Sequence, residues 1–406
     1  MTSAAGLSRD DALARDAADP LASFRDRFAP TEPGVIYLDG NSLGRPPRAA
    51  IDAVKAVGEA WSTRLIRGWD DGWLELPLTV GDALATGVLG ARAGEVVLVD
   101  STTVNLYRVA GAALDARGGR RAVVVERSEF PTDRYVVEGL ARERDLEIRW
   151  LDGDPVEGVT AEHIEAALDR DAALVILSAV NYRSSAVVDI RAVTALARDA
   201  GALVIWDLSH AGGSSPVDLA ANGVELAVGC TYKYLNAGPG APAYLYVRRE
   251  LQEALRPPIQ GWFAQASQFE MGPRFERRAG IGGWLTGTPS IIALTAARAG
   301  IELVAEAGMG AIRAKGMALT EYAVALLDAW LAPLDCSLGS PRDPSRRGSH
   351  VAIRHPDARR ITSALVARGV IVDFRAPDSI RIGMSPLTTA FADVHDGVAA
   401  LRDTLT

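Results

Sequence analysis

Residues 202–213 read ALVIWDLSHAGG. The run from Ala202 to Trp206 is apolar without a break and ends on Asp207, with His210 three residues further on and two glycines behind it. An unbroken apolar run of strand length suits a β-strand covered on both faces, which is the situation in a parallel sheet. In such sheets ligands gather at the carboxyl ends of the strands. Asp207 and His210 therefore stand where chemistry is expected.

Further runs of the same kind lie on either side: EVVLVD (95–100), RAVVVE (121–126), LEIRWL (146–151), AALVILS (172–178) and VELAVG (224–229). The segments between them are long enough for crossover helices, so the pattern predicts an α/β fold with a mainly parallel sheet sandwiched by helices. Beyond Pro257 the chain turns rich in Gly, Pro and aromatics and loses its period up to about residue 290, and a long irregular segment of this kind is more often functional than idle. Two long helical patterns follow (about 289–331), then SHVAIRH, a helix, VIVDF, SIRIGMS and a closing helix, which read as a smaller α+β domain. The expected division is an N-terminal arm packing on the small domain (1–60), a large domain (61–290) and a small C-terminal domain (291–406).

Composition narrows the function. Of 406 residues 48% are hydrophobic and 23% charged, and the net charge of −8 comes without a Lys/Arg tract, which argues against nucleic acid and anionic membranes as partners. The N-terminus carries acidic residues where a signal peptide needs an apolar stretch, and no apolar run approaches a membrane span, so the chain is expected to be cytoplasmic. Two cysteines and five histidines without ligand spacing predict no metal site.

Forty of the 43 basic residues are arginine; the lysines are Lys55, Lys233 and Lys315. A lysine kept against that bias suggests an amine that must lose its proton, which arginine does not do. Lys233 lies in GCTYKYLNAGPG (229–240), 26 residues after Asp207. Upstream, Asp100, Ser101, Thr102 and Thr103 close one strand, and Phe130 and Asp133 follow another in SEFPTD. Singly, DSTT and SEFPTD are good helix N-caps. Together they give a strand-end carboxylate, an amine and a helix start for a phosphate, which are the requirements of pyridoxal phosphate. No Gly-x-Gly-x-x-Gly joins a strand to a helix, which disfavours a dinucleotide.

YLDGNSLGRPP (37–47), RLIRGW (64–69), DSTTVNL (100–106), FPTD (130–133), WDLSHA (206–211), YKYLNAGPG (232–240) and GW (261–262) resemble the kynureninase family of fold-type I, class V pyridoxal phosphate enzymes, from about residue 36 to the C-terminus. The resemblance implies that Lys233 binds the cofactor covalently, that Asp133 and Asp207 serve the pyridine nitrogen, and that Phe130 stacks on the ring. It implies that Thr102, Thr103, Ser178, His210 and Tyr232 help hold cofactor or phosphate, with Tyr232 also the acid that protonates the product. Arg381 would bind the substrate α-carboxylate through its planar fork, with Asn41, Ser42 and Trp69 also at the substrate. Trp262 and Thr288 would reach the phosphate of a neighbouring subunit, hence a homodimer with shared sites. The reaction implied is hydrolysis of L-kynurenine, or 3-hydroxykynurenine, to anthranilate or its 3-hydroxy form and alanine. The family's Gly-Trp is usually followed by an aromatic, Gly and His, whereas this chain has Phe263, Ala264 and Gln265, and Thr288 stands where animal members have Asn. The alternatives are a relative acting on another aryl-keto amino acid, and a class V aminotransferase or cysteine desulfurase.

Overall fold

The computed structural model describes residues 6–406, so the part of the signal-peptide reading that falls on residues 1–5 lies outside it. The strands are β1 (Ile36–Tyr37), β2 (Val96–Leu98), β3 (Ala122–Glu126), β4 (Glu147–Leu151), β5 (Ala172–Ser178), β6 (Leu203–Asp207), β7 (Leu226–Gly229), β8 (Tyr244–Val247), β9 (Ser337–Leu338), β10 (His350–Arg354), β11 (Val370–Ile371), β12 (Asp373–Arg375) and β13 (Ser379–Gly383). The α-helices are α1 (Arg9–Ala17), α2 (Arg48–Arg64), α3 (Leu76–Leu84), α4 (Thr102–Ala116), α5 (Pro131–Arg144), α6 (Ala161–Ala167), α7 (Ile190–Asp199), α8 (Ile291–Ala307), α9 (Met309–Leu326), α10 (Ala358–Ala367) and α11 (Phe391–Leu405).

Seven strands form the main sheet in the order β2-β8-β7-β6-β5-β3-β4. The six apolar runs are all there and share one direction; β8 alone runs antiparallel to both neighbours. The connection from β7 to β8 carries the lysine loop and no helix, so the chain turns back instead of crossing over.

The unbroken apolar runs have a simple cause. Successive side chains of a strand point to opposite faces, and both faces are buried here. Val123, Val125, Leu174 and Ile176 pack with α4, α5 and residues 255–285 on one face; Val124, Val175, Leu177 and Trp206 pack with α3, α7 and α8 on the other. Leu294, Ala297, Ile301 and Ile312 belong to this second core, which carries the large layer past residue 290, where the sequence pattern puts the division.

The smaller layer is an antiparallel sheet, β12-β13-β10-β9, with α9, α10 and α11 against it. The N-terminal segment joins it through Ala12 of α1 and through β1, which pairs with β11. One expectation needs correcting. Met309–Leu334 is a continuous helical run long and apolar enough to cross a membrane by length and composition. Its Leu319, Ala323, Leu326 and Leu331 are in the core of the small layer, the packing demand that makes the run so apolar.

Candidate active site

The carboxyl ends of β5, β6 and β7 and the starts of α4 and α5 surround one cavity of about 180 Å³. Eleven of the residues singled out in the sequence line it: Asp100, Ser101, Thr102, Thr103, Phe130, Asp133, Ser178, Asp207, His210, Tyr232 and Lys233. Tyr182, Ser209 and Thr132 line it as well and were not anticipated.

Local structure explains each placement. Pairing of β5 with β6 sets Ser178 beside Asp207, and pairing of β6 with β7 puts the lysine loop next to both. The loop is held in shape by the amides of Asn236 and Ala237, which donate to the carbonyls of Lys233 and Thr231. Asn236 takes φ 55°, a left-handed conformation that asparagine tolerates better than most residues. Gly44 of the NSLG motif donates to the Tyr232 carbonyl at 2.8 Å. A Cβ at Gly44 would lie 2.2 Å from the Lys233 oxygen, so this approach needs glycine.

At the start of α4, Ser101 caps the helix and accepts from the Val104 amide. The first amides of a helix have no partner within it, and those of α4 belong to the cavity-lining Thr102 and Thr103. Phe130 caps α5 with Pro131 in its first turn, and its ring sits 5.7 Å from the Lys233 amine.

Lys233 is buried, and its Nζ is 2.8 Å from His210 Nε2. Burial, then the charge of Lys233, holds the His210 imidazole well below its usual pKa, so the ring is neutral at neutral pH. Burial, then the charges of Asp207 and Glu129, holds the Asp133 carboxyl well above the usual range. Both Asp133 oxygens are buried without a hydrogen-bond partner, while Asp207 accepts from the Ser209 amide at 2.7 Å. Tyr232 is also pushed up, by burial first and then by Cys230, so its hydroxyl keeps its proton.

Arg381 is fully buried beside the cavity, donating to the carbonyl of the cavity-lining Tyr182 at 2.5 Å. Its fork is engaged by Asp373 directly across the β12–β13 pair, a partner the sequence did not reveal. Asp373 also binds Arg375 at 2.7 Å. Ser42 accepts from Arg381 at 3.0 Å, and Asn41, with its amide turned to satisfy both neighbours, places its oxygen 3.1 Å from the guanidinium.

Trp69, Trp262 and Thr288 do not line this cavity. Trp69 packs on Trp73 and Phe263, Trp262 is 42% exposed, and Thr288 is exposed. Ala264 is buried in the core, and Gln265 accepts from the Glu276 amide at 2.6 Å within its own loop, so neither residue faces the cavity of its own chain.

Pyridoxal phosphate fits what is present. The unpartnered Asp133 carboxyl beside Asp207 asks for a cationic N–H, the α4 start suits a phosphate, and a buried amine stands between them. The fold agrees. The chain superposes on the apo cysteine desulfurase of Thermococcus onnurineus NA1 with a TM-score of 0.80 at 17% identity, covering 94% of this chain and 97% of that one. A mutant C-DES with glycine covalently linked to its PLP cofactor matches with a TM-score of 0.82 at 18% identity, covering 93% and 99%. Fold and site together define a fold-type I pyridoxal phosphate enzyme. The C-terminal domain of kynureninase matches as a family over residues 312–401. Kynureninases of Pseudomonas fluorescens and Burkholderia pseudomallei (strain 1106a) are 43% and 44% identical over 98% of this chain and 95% of their own length. The chain belongs to the kynureninase family, whose members are pyridoxal phosphate-dependent hydrolases of carbon–carbon bonds.

Proposed function

We propose that this cavity binds L-kynurenine and hydrolyses its Cβ–Cγ bond to anthranilate and L-alanine, as a cytoplasmic step of tryptophan breakdown away from any membrane, and that the site residues take the roles below. The observation that carries the assignment of roles is the setting of Lys233. Lys55 and Lys315 are paired with Asp52 and Asp19, whereas Lys233 is buried in the cavity against a neutral histidine.

Bound pyridoxal phosphate supplies the electron sink that lets the Cβ–Cγ bond break. Lys233 anchors it and moves a proton at the substrate Cα; the neutral His210 lets the amine give up or take that proton without adding a second cation. Asp207 and Asp133 hold the proton on the ring nitrogen, the α4 start with Thr102 and Thr103 holds the phosphate, and Phe130 covers the ring. Ser178 lends its hydroxyl to the same floor. Water adds to the γ-carbonyl and the acyl group leaves as anthranilate. Tyr232, still protonated, delivers a proton to Cβ on the way to alanine.

Arg381, framed by Asn41 and Ser42, takes the α-carboxylate when it turns from Asp373, which Arg375 can retain. Trp262 and Thr288 serve the cavity of a second copy, which accounts for their absence from their own and makes the enzyme a homodimer with shared sites, and Trp69 serves the substrate. Both cysteines are buried, which leaves no mobile nucleophile for a desulfurase. The test is to supply L-kynurenine and 3-hydroxykynurenine separately, follow the aryl acid together with alanine, and compare kcat/KM. Kynurenine should be cleaved well and the 3-hydroxy compound within about a hundredfold, since neither Ala264 nor Gln265 offers a dedicated partner for a ring hydroxyl. Cleavage of neither, with turnover of a larger aryl ketone, would contradict the assignment.

A further inference from the structure

One buried acid has no place in the scheme above. Glu129, in the turn between β3 and α5, is 1% exposed, yet no cation bonds to it. Both its hydrogen bonds go to the last residue of β5: Oε1 accepts from the Ser178 amide at 2.6 Å, and Oε2 lies 2.5 Å from Ser178 Oγ. Ser178 lines the cavity, whereas Glu129 stands behind it.

We propose that Glu129 is a positioning residue whose own protonation sets the direction of the Ser178 hydroxyl: ionised, it draws the Ser178 hydrogen toward itself; protonated, it donates to Oγ and turns that hydrogen into the cofactor cavity. The amide bond to Oε1 survives in both states, so the backbone need not move. Only the hydroxyl rotates, which a serine does freely.

The surroundings make the protonated state accessible. Glu129 is faced by Glu126 at the end of β3, Asp133 on α5 and Asp207 at the end of β6, all carboxylates. The buried cation nearby, Lys233, acts on Asp133. Four buried acids around one buried amine cannot all ionise together. Burial, with the charge of Glu126 next, pushes Glu129 up to about 8. Its protonation therefore changes within the range in which such enzymes operate, and the number of donors offered to the cofactor changes with it.

This inference rests on the cavity holding pyridoxal phosphate. The experiment is to strip the cofactor, then measure the dissociation constant and visible spectrum of added pyridoxal phosphate against pH for the wild type, Glu129→Gln and Ser178→Ala. Glutamine keeps the acceptor for the Ser178 amide and gives Oγ a permanent donor, so it imitates the protonated acid. The wild type should lose affinity by about three- to tenfold as pH rises through about 8, the worth of one hydrogen bond. Glu129→Gln should hold the low-pH affinity and spectrum throughout. Ser178→Ala should lack the same step and stay at or below the high-pH affinity, which decides the matter even where the glutamine variant folds poorly. The same step at the same midpoint in either variant, or no step in the wild type, overturns the role of Glu129 while leaving the cofactor reading intact. A wild type that takes up no pyridoxal phosphate removes both.

Discussion

Asp133 and Asp207 meet at the floor of the cavity with a single lysine to offset them, and their fates differ between the empty and the loaded protein. In the proposed role Asp207 holds the proton of the cofactor's ring nitrogen, so Asp207→Asn should abolish turnover with the fold intact by circular dichroism; near-normal activity would show the carboxylate to be misassigned. In the cofactor-free protein, Asp133 holds a proton that the unfolded chain has already lost. Its contribution to stability is therefore full below the ordinary carboxylate range and drains away as pH rises through the folded value. His210 works in the opposite sense: its contribution is present above the usual histidine value and lost as pH falls below it. Urea midpoints of the apoprotein between about pH 5 and about pH 8 should consequently fall less for Asp133→Asn than for the wild type, and an equal or steeper fall would refute this account of the carboxyl. Asp207 and Lys233 were legible in the sequence because one ends an apolar run and the other breaks a strong arginine bias. Glu129, Tyr182 and the Asp373 partner of Arg381 were not, since their meaning depends on which strand ends become neighbours and in what register, and register is not written in either strand alone.

At the level of elements, the lysine loop owes its shape to a distant segment. Gly44 sits so close to the Lys233 carbonyl that a methyl group must push one of the two backbones aside. Gly44→Ala should cost about 1–3 kcal/mol, as overpacking does, and should lower cofactor affinity because the displaced loop carries the anchoring amine. Thermal unfolding with and without pyridoxal phosphate measures both, and an unchanged midpoint with normal cofactor binding would mean the contact is slack. Five of the six strands read from the main sheet are buried on both faces and so nearly uninterrupted by polar residues, while the edge strand β4, with Glu147 and Arg149, is only partly covered and was readable by its remaining apolar residues. The seventh, β8, was not singled out. It is Tyr-Leu-Tyr-Val, four residues following a glycine-rich loop, and its antiparallel direction comes from the missing crossover helix. The segment from 257 to 290 had no period to read, and the structure gives it short 3₁₀ turns anchored by Phe263, Ile281 and Trp284 in one core. Its function was visible only through resemblance.

At the scale of the molecule, the proposal divides the site between two chains. Trp262 is 42% exposed with Phe269 against it, and Thr288 is exposed, although the proposal assigns both to a cofactor phosphate. If a second copy supplies them, two defective chains can complement each other. Lys233→Ala mixed with Trp262→Ala under conditions that exchange subunits should regain activity, because each hybrid dimer contains one site with a native lysine and a native tryptophan. Activity no greater than the sum of the two variants alone would place the whole site within one chain. The central claim is that Lys233 is the residue on which the chemistry is built, and one measurement addresses it most directly. The purified, cofactor-loaded protein is reduced with borohydride, digested, and the peptide carrying the pyridoxyl group is sequenced by mass spectrometry. A yellow protein that bleaches on reduction and carries the label on Lys233 alone is the predicted result; a colourless protein, or a label on Lys55 or Lys315 in its place, would contradict it.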